Sequence, residues 1–296
     1  MTERNSTTGR PGGLQADTLR PLVKKSRLSG DTTVRRRAFT LIELLVVIAI
    51  IAVLMAILMP SLKRAKEQAR SLHCRSNVRT LLLGWLMYKD ENDAKLVSGW
   101  TPGPTDPPAW VVMPPNPRNA SVAEKKEYLK KGQLWTYIQD VDVYHCPSDR
   151  RKNNPWHQYG YRTYSITGGM NAVKATGDWE ILPCLIYTDI KQPATKYVFL
   201  AECDKRGYNN GSWVMYPKSR RWVDPFAIWH RDNTSMLGYA DGHAAPQRWR
   251  SKGLIEWNEK SLYDPQAFDF HRTPADDQEW EEFDIMRDGY AYRALQ

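Results

Sequence analysis

Glu43 is the side chain whose type and position most demand a chemical explanation. It lies in residues 39–59, a run of 21 in which Thr40 is the other polar residue. An acid in such surroundings costs about 2–3 kcal/mol unless it finds a partner. No basic residue stands within one helical turn of it, so the partner is expected outside this helix or newly made. Cutting the chain just before Phe39 would make one. The new α-amino group would carry a positive charge near the same depth, most usefully on a neighbouring copy. Three basic residues and a small one, Arg35-Arg36-Arg37-Ala38, stand directly before that bond.

The element that must position this acid is a single helix. At about 1.5 Å per residue the apolar run spans roughly 30 Å, the thickness of a bilayer's hydrocarbon core. Its Leu, Ile and Val are the residues favoured at the centre of a membrane helix. A cleaved secretory signal would have an apolar core of about 7–15 residues, and this one is longer. Residues 1–38 hold nine basic and three acidic side chains among much Gly, Ser, Thr and Pro, and such a segment reads as disordered. Its charge places the N-terminus in the cytoplasm and everything after Pro60 on the far side. The remaining residues hold 33 basic against 30 acidic, so the net charge of +9 belongs mainly to the front end. That balance gives no support for a nucleic-acid-binding surface.

Basic residues, a small residue, Phe-Thr-Leu-Ile-Glu and a long apolar run together resemble the class III signal of type IV pilins and type II secretion pseudopilins. The resemblance implies a prepilin peptidase that reads Arg35, Arg36, Arg37 and Ala38, cuts between Ala38 and Phe39, and methylates the new amine. It implies that Glu43 pairs with the N-terminus of the next subunit in a filament. Pro60 stands where the family often has a helix-bending proline, and Ala38 where it usually has Gly. Further along, Cys74-Arg-Ser-Asn77, residues 88–93, Leu134-Trp135 and residues 144–149 resemble a pseudopilin-like group of planctomycete-type genomes. The mark of that group is a C-terminal His, nine residues, then Asp-Gly. Here ten residues separate His230 from Asp241-Gly242, so a one-residue bulge is expected.

Beyond the span, Leu62, Ala65, Ala69 and Leu72 share one helix face. Cys74, Val78, Leu81, Trp85 and Tyr88 share another, expected to meet the chain's own head. Residues 98–120 hold seven prolines and read as a loop. Ser121 and Glu124 have capping-box spacing for a short helix that Gly132 ends, and residues 134–138 read as a packed turn. Strands are expected at 141–146, 197–201, 213–216 and 226–229, with a hairpin of 235–239 and 243–249 around the Asp-Gly turn. The fold class is therefore α+β: a long N-terminal helix, transmembrane in its lower half, on an antiparallel sheet head of type IV pilin-like form. The expected division is a leader at 1–38, a transmembrane and stalk helix at 39–93, a head at 94–253 and an acidic extension at 254–296 whose face is solvated.

An exported head meets an oxidising compartment, where cysteine pairs persist. Of Cys74, Cys146, Cys184 and Cys203, the first two are the preferred disulfide, since Cys74 faces the head and Cys146 ends a segment that can lie over it. Spacing alone leaves the three connectivities open. A zinc site from His73, Cys74, His145 and Cys146 is the alternative, without a short Cys-x-x-Cys spacing behind it. Calcium in a head loop, as in related major pseudopilins, has Asp204, Asp224 and Asp241 as loop carboxylates but no EF-hand spacing. No other cofactor is expected. Neither a nucleophile elbow, a zincin motif nor a phosphate loop occurs, so a structural subunit is expected and not an enzyme. The 12 tryptophans read first as core and second as sugar-stacking platforms. The resulting expectation is a pseudopilin in the bacterial inner membrane, single-pass, with a periplasmic head. Its partners would be other copies or other pseudopilins, the prepilin peptidase and the inner-membrane secretion platform. The alternatives are a surface pilin for adhesion or DNA uptake, and a membrane-tethered carbohydrate-binding or hydrolytic head.

Overall fold

The computed structural model describes residues 39–100, 109–117, 119–151, 161–172, 180–203, 211–263 and 268–293. The leader expected at 1–38, with Arg35, Arg36, Arg37 and Ala38, lies outside them. The chain divides into two units, residues 1–54 and 55–296.

In the first unit the described chain is helical. Helix α1 (Leu41–Glu91) begins here and is long and apolar enough to cross a membrane. Large apolar side chains from Phe39 to Leu54 are between 45% and 74% exposed. Such a surface is incompatible with water at this extent, so lipid or other helices must cover it.

In the second unit α1 continues through Pro60, and the moving stripe of the sequence is borne out. Leu62 and Leu72 are exposed, whereas Cys74, Val78, Leu81, Leu82 and Trp85 are fully buried. These residues recur at three- and four-residue intervals, which is what one helix face requires. Asn77 lies on the same face and donates from Nδ2 to the His145 carbonyl at 3.0 Å, tying the helix to the loop beside it.

A five-stranded sheet receives that face. Its strands are β1 (Tyr164–Thr167), β2 (Tyr197–Ala201), β3 (Ser212–Trp213), β6 (Thr234–Tyr239) and β7 (Ala244–Arg248), in the order β3-β1-β2-β6-β7. All neighbours are antiparallel except β1 and β3. A separate hairpin pairs β4 (Met215–Tyr216) with β5 (Arg221–Trp222). Alternate side chains of β6 serve two cores: Met236 packs with Val78 and Trp85 of α1, Leu237 with Trp213, Trp249 and Phe283. At Gly238 the helix comes so close that a Cβ would stand 2.5 Å from Val78 Cγ1 and 2.9 Å from Leu82 Cδ1. The absence of a side chain there is what lets α1 seat on the sheet.

The remaining helices are α2 (Val122–Leu129), α3 (Trp135–Ile138), α4 (Lys252–Tyr263) and α5 (Asp277–Gly289). Ser121 caps α2 as its spacing predicts, accepting from the Glu124 N–H. Four expectations are corrected. The strand expected at 213–216 is divided between β3 of the main sheet and β4 of the hairpin. Residues 141–144 form a 3-10 turn in place of a strand, because the Asp140 carboxylate accepts from the Asp142 N–H and starts a turn. Residues 226–229 are buried but make a single bridge, Glu202 to Phe226. The Phe226 N–H is instead taken by the Asn258 side chain of α4. Most substantially, the acidic C-terminal segment is no solvated face. Asp276, Asp277, Glu281 and Asp288 are exposed, yet Glu279 and Glu282 are buried beside Phe283 and Met286. Glu279 accepts from Arg272 Nη2 at 2.6 Å and from Trp222 Nε1 at 3.1 Å, and Glu282 accepts from the Arg250 and Ser251 N–H groups. Their partners make the burial tolerable, so α5 is a wall of the second core.

Substituting Gly238→Ala is expected to destabilise the second unit by about 1–3 kcal/mol, the usual range for overpacking a close contact. Chemical denaturation of the full chain in detergent, followed by tryptophan fluorescence, reads this directly; an unchanged midpoint would contradict the tight α1–β6 approach.

Candidate functional site

The apolar segment begins with an arrangement that supplies part of what Glu43 lacks. Thr40 precedes α1, and its Oγ1 accepts from the Glu43 N–H at 3.2 Å. In return Glu43 Oε2 accepts from both the Thr40 N–H and the Thr40 hydroxyl, each at 2.8 Å. This is a capping box: a Thr and a Glu three residues later satisfy each other's free donors at a helix start. The Thr-x-x-Glu signal for this box is present in the sequence, and Thr40 supplies hydrogen-bond donors but no positive charge. Both side-chain bonds go to Oε2, so Oε1 remains open to a further donor. The helix N-terminus also favours negative charge at this position.

In the second unit three residues distant in sequence converge. Cys74 comes from α1, Cys146 from the loop after the 3-10 turn, and His230 from the extended segment before β6. One ligating atom of each lies within 4.8 Å of the other two, and all three residues are buried. Cys146 Sγ lies 3.7 Å from His230 Nε2, and the Tyr164 hydroxyl donates to Cys74 Sγ at 3.1 Å. Burial pushes the Cys146 thiol well above its ordinary range, with the Cys74 thiol reinforcing the shift and His230 opposing it. The expected proximity of Cys74 and Cys146 is therefore present, but none of the four cysteines is in a disulfide. Cys203 is elsewhere, against Asn258 and Ser261 of α4. The histidines of the alternative zinc set do not join: His73 is exposed, and His145 stacks on Tyr161 with ring centroids 5.2 Å apart.

A polar knot holds Cys146 in place. Its N–H donates to Thr163 Oγ1 at 3.0 Å, and the Thr163 hydroxyl donates to Asp149 Oδ2 at 2.8 Å. The same carboxylate accepts from Arg151 Nη2 at 2.7 Å, with both side chains fully buried. Residues 146–149, Cys-Pro-Ser-Asp, are thus a rigid turn whose acid anchors a buried guanidinium.

The paired head motif separates into two places. His230 belongs to the cysteine cluster, whereas Asp241 and Gly242 turn the chain between β6 and β7 at the opposite end of β6. Gly242 adopts φ +96°, and Asp241 Oδ1 accepts from the His243 N–H at 3.1 Å. Although partial burial pushes the Asp241 carboxyl upward, the His243 N–H and imidazole outweigh it and hold the group below its usual range. The turn accounts for the Asp-Gly pair by itself. Of the calcium candidates, Asp204 lies outside the described residues, and Asp224 accepts from the Val214 N–H at 3.0 Å within the second core. An open cleft of about 940 Å³ is lined by Lys196, Tyr239, His243 and Arg287 among others, with no tryptophan on its wall. Seven tryptophans are buried in the two cores: Trp85, Trp110, Trp213, Trp222, Trp229, Trp249 and Trp257.

Residues 34–59 match the family model of the prokaryotic N-terminal methylation motif. The chain carries a prepilin-type signal. With the long apolar helix, the match supports a type IV pilin-like protein anchored in a membrane, and it implies cleavage by a prepilin peptidase and filament assembly in general. It points to a structural subunit. No curated protein and no solved structure matches the chain.

Asp149→Ala is expected to cost about 3–5 kcal/mol, because it takes the charge from opposite a buried guanidinium. Asp149→Asn, which keeps an acceptor for Thr163, should cost less. Urea denaturation of both variants checks the order; equal and small losses would show that the knot is not a stability element.

Proposed function

We propose that this chain is a pseudopilin. It is cut between Ala38 and Phe39, methylated on the Phe39 amine by a prepilin peptidase, and polymerised with like subunits into a pseudopilus that serves type II-type protein secretion. In this reading the apolar helix sits in the bacterial inner membrane, the N-terminus is cytoplasmic before assembly, and the head is periplasmic. The inner-membrane secretion platform is the partner that adds each subunit.

The observation that carries the proposal is Glu43 itself. It lies inside the matched motif, in a run that otherwise suits lipid, and it spends one carboxylate oxygen on its own helix start. The other oxygen can accept from the methylated ammonium of a neighbour's Phe39, a charge-assisted bond strengthened by low dielectric. Lateral packing of the exposed apolar side chains supplies the rest. What favours secretion over a surface pilin is the sequence resemblance of residues 74–77, 88–93, 134–135 and 144–149 to pseudopilin-like heads. Seven tryptophans fill the two cores, which favours the core role for those seven over sugar stacking.

Two variants separate the two tasks of Glu43. Glu43→Val removes capping and charge together, and is expected to abolish filaments while membrane insertion and cleavage proceed. Glu43→Gln keeps an oxygen for the Thr40 donors but no charge, and filaments should still be lost. Were Glu43→Gln to assemble normally, the pairing with a neighbour's ammonium would be wrong. Mass spectrometry of the mature protein should find a methylated Phe39 as the first residue; an intact leader on a monomeric chain overturns the pseudopilin reading.

A further inference from the structure

We propose that Cys74, Cys146 and His230 form a buried zinc site that locks the stalk helix to the head. The three come from α1, from the loop anchored by Asp149, and from the segment before β6, so one ion would join three elements that no covalent link connects. Tetrahedral zinc with Zn–S near 2.3 Å and Zn–N near 2.0 Å places its ligand atoms roughly 3.3–3.8 Å from one another. The Cys146 Sγ to His230 Nε2 distance is 3.7 Å, and all three ligand atoms fall within 4.8 Å. A small inward movement brings the three atoms to ligand distance. Binding releases the two thiol protons to solvent, so Zn²⁺, two thiolates and a neutral imidazole carry no net charge. That neutrality lets the group be buried without the cost of an isolated ion.

A second observation distinguishes zinc from a Cys74–Cys146 disulfide. His230 is 6% exposed, its Nδ1 has no hydrogen-bond partner, and Nε2 has a weak contact with a sulfur at 3.7 Å. Beside a disulfide the ring would keep that deficit, because a bridged sulfur offers no proton and accepts poorly. A zinc–nitrogen bond replaces that weak contact at Nε2 with a strong one, while Nδ1 is unpaired with either arrangement. The two cysteines also have the supports a ligand needs. The Tyr164 hydroxyl donates to Cys74 Sγ, a contact that stabilises a metal-bound thiolate, and the Cys146 backbone is fixed through Thr163. The His230 backbone is held by its pairing with Thr234. Three protein ligands leave the fourth position of a tetrahedral ion to water.

The test uses the full-length chain purified in detergent, without added chelator. Elemental analysis should find about one zinc per chain, the stoichiometry of one site. Cys74 and Cys146 should resist alkylation until a chelator is added. Cys74→Ser, Cys146→Ser and His230→Gln should each reduce bound zinc to near zero. If those variants misfold, the wild-type chain exchanged with Co²⁺ gives a readout that needs no substitution: a thiolate-to-cobalt charge-transfer band with the ligand-field bands of a tetrahedral ion. A folded wild-type chain that takes up neither metal, or yields a disulfide-linked Cys74–Cys146 peptide on digestion, overturns the proposal. Bound zinc that survives all three substitutions overturns it equally.

Discussion

The close seating of α1 on β6 is the contact from which the second unit is organised. Val78 and Leu82 approach within a distance that excludes any side chain at position 238. One face of the helix can therefore spend its apolar residues on the sheet, while Met236 and Leu237 of the same strand look into different cores. Everything else in the unit is placed relative to that strand. Helix α5 and the β4–β5 hairpin cover the second core. The loops that carry Cys146 and His230 close over the first, beside the helix that carries Cys74.

Periodic elements were readable from the chain because their signal is local and repeated. The α1 face from Cys74 to Trp85, the strand Tyr197–Ala201 and the β6–β7 hairpin each follow a rule of three and four or of two. The expectations that failed did so where a single side chain redirected the backbone. Asp140 turned residues 141–144 into a 3-10 turn, and Asn258 drew Phe226 away from a ladder. Charge content misled at the C-terminus for a similar reason. Seven acids within a short span suggest solvent, but acids three apart on a helix share a face. Glu279 and Glu282 were on the face that found Arg272, Trp222 and the Arg250 and Ser251 N–H groups. No window of sequence contains those partners.

The cysteine cluster was half legible. Cys74 and Cys146 are the two that one expects to meet, from the helix face and from the segment laid over it. His230 attracted notice for a different reason, as part of a His and Asp-Gly pattern. In the structure the two halves of that pattern stand apart: Asp241 and Gly242 form a turn, and His230 lies beside the thiols. Residues separated by a strand of the length of β6 stand about 20 Å apart at about 3.3 Å per residue, so their co-occurrence in sequence is no evidence of a shared site. Long-range convergence onto α1 could not be deduced from spacing.

Glu43 and Glu279 show how differently one residue type can be accommodated. Glu279 is surrounded by donors from its own chain, including a guanidinium, and its demand is met within the fold. Among the described residues Glu43 is met by Thr40, through one oxygen, at a helix start that already tolerates negative charge. The capping box therefore lowers the cost of carrying an acid into an apolar helix without consuming its capacity to bind. An acid that was fully satisfied locally would have no reason to seek a neighbour, and one with no local support would weigh against insertion. The intermediate state is what a subunit needs if it must first reside singly in a membrane and later be fixed by the next copy.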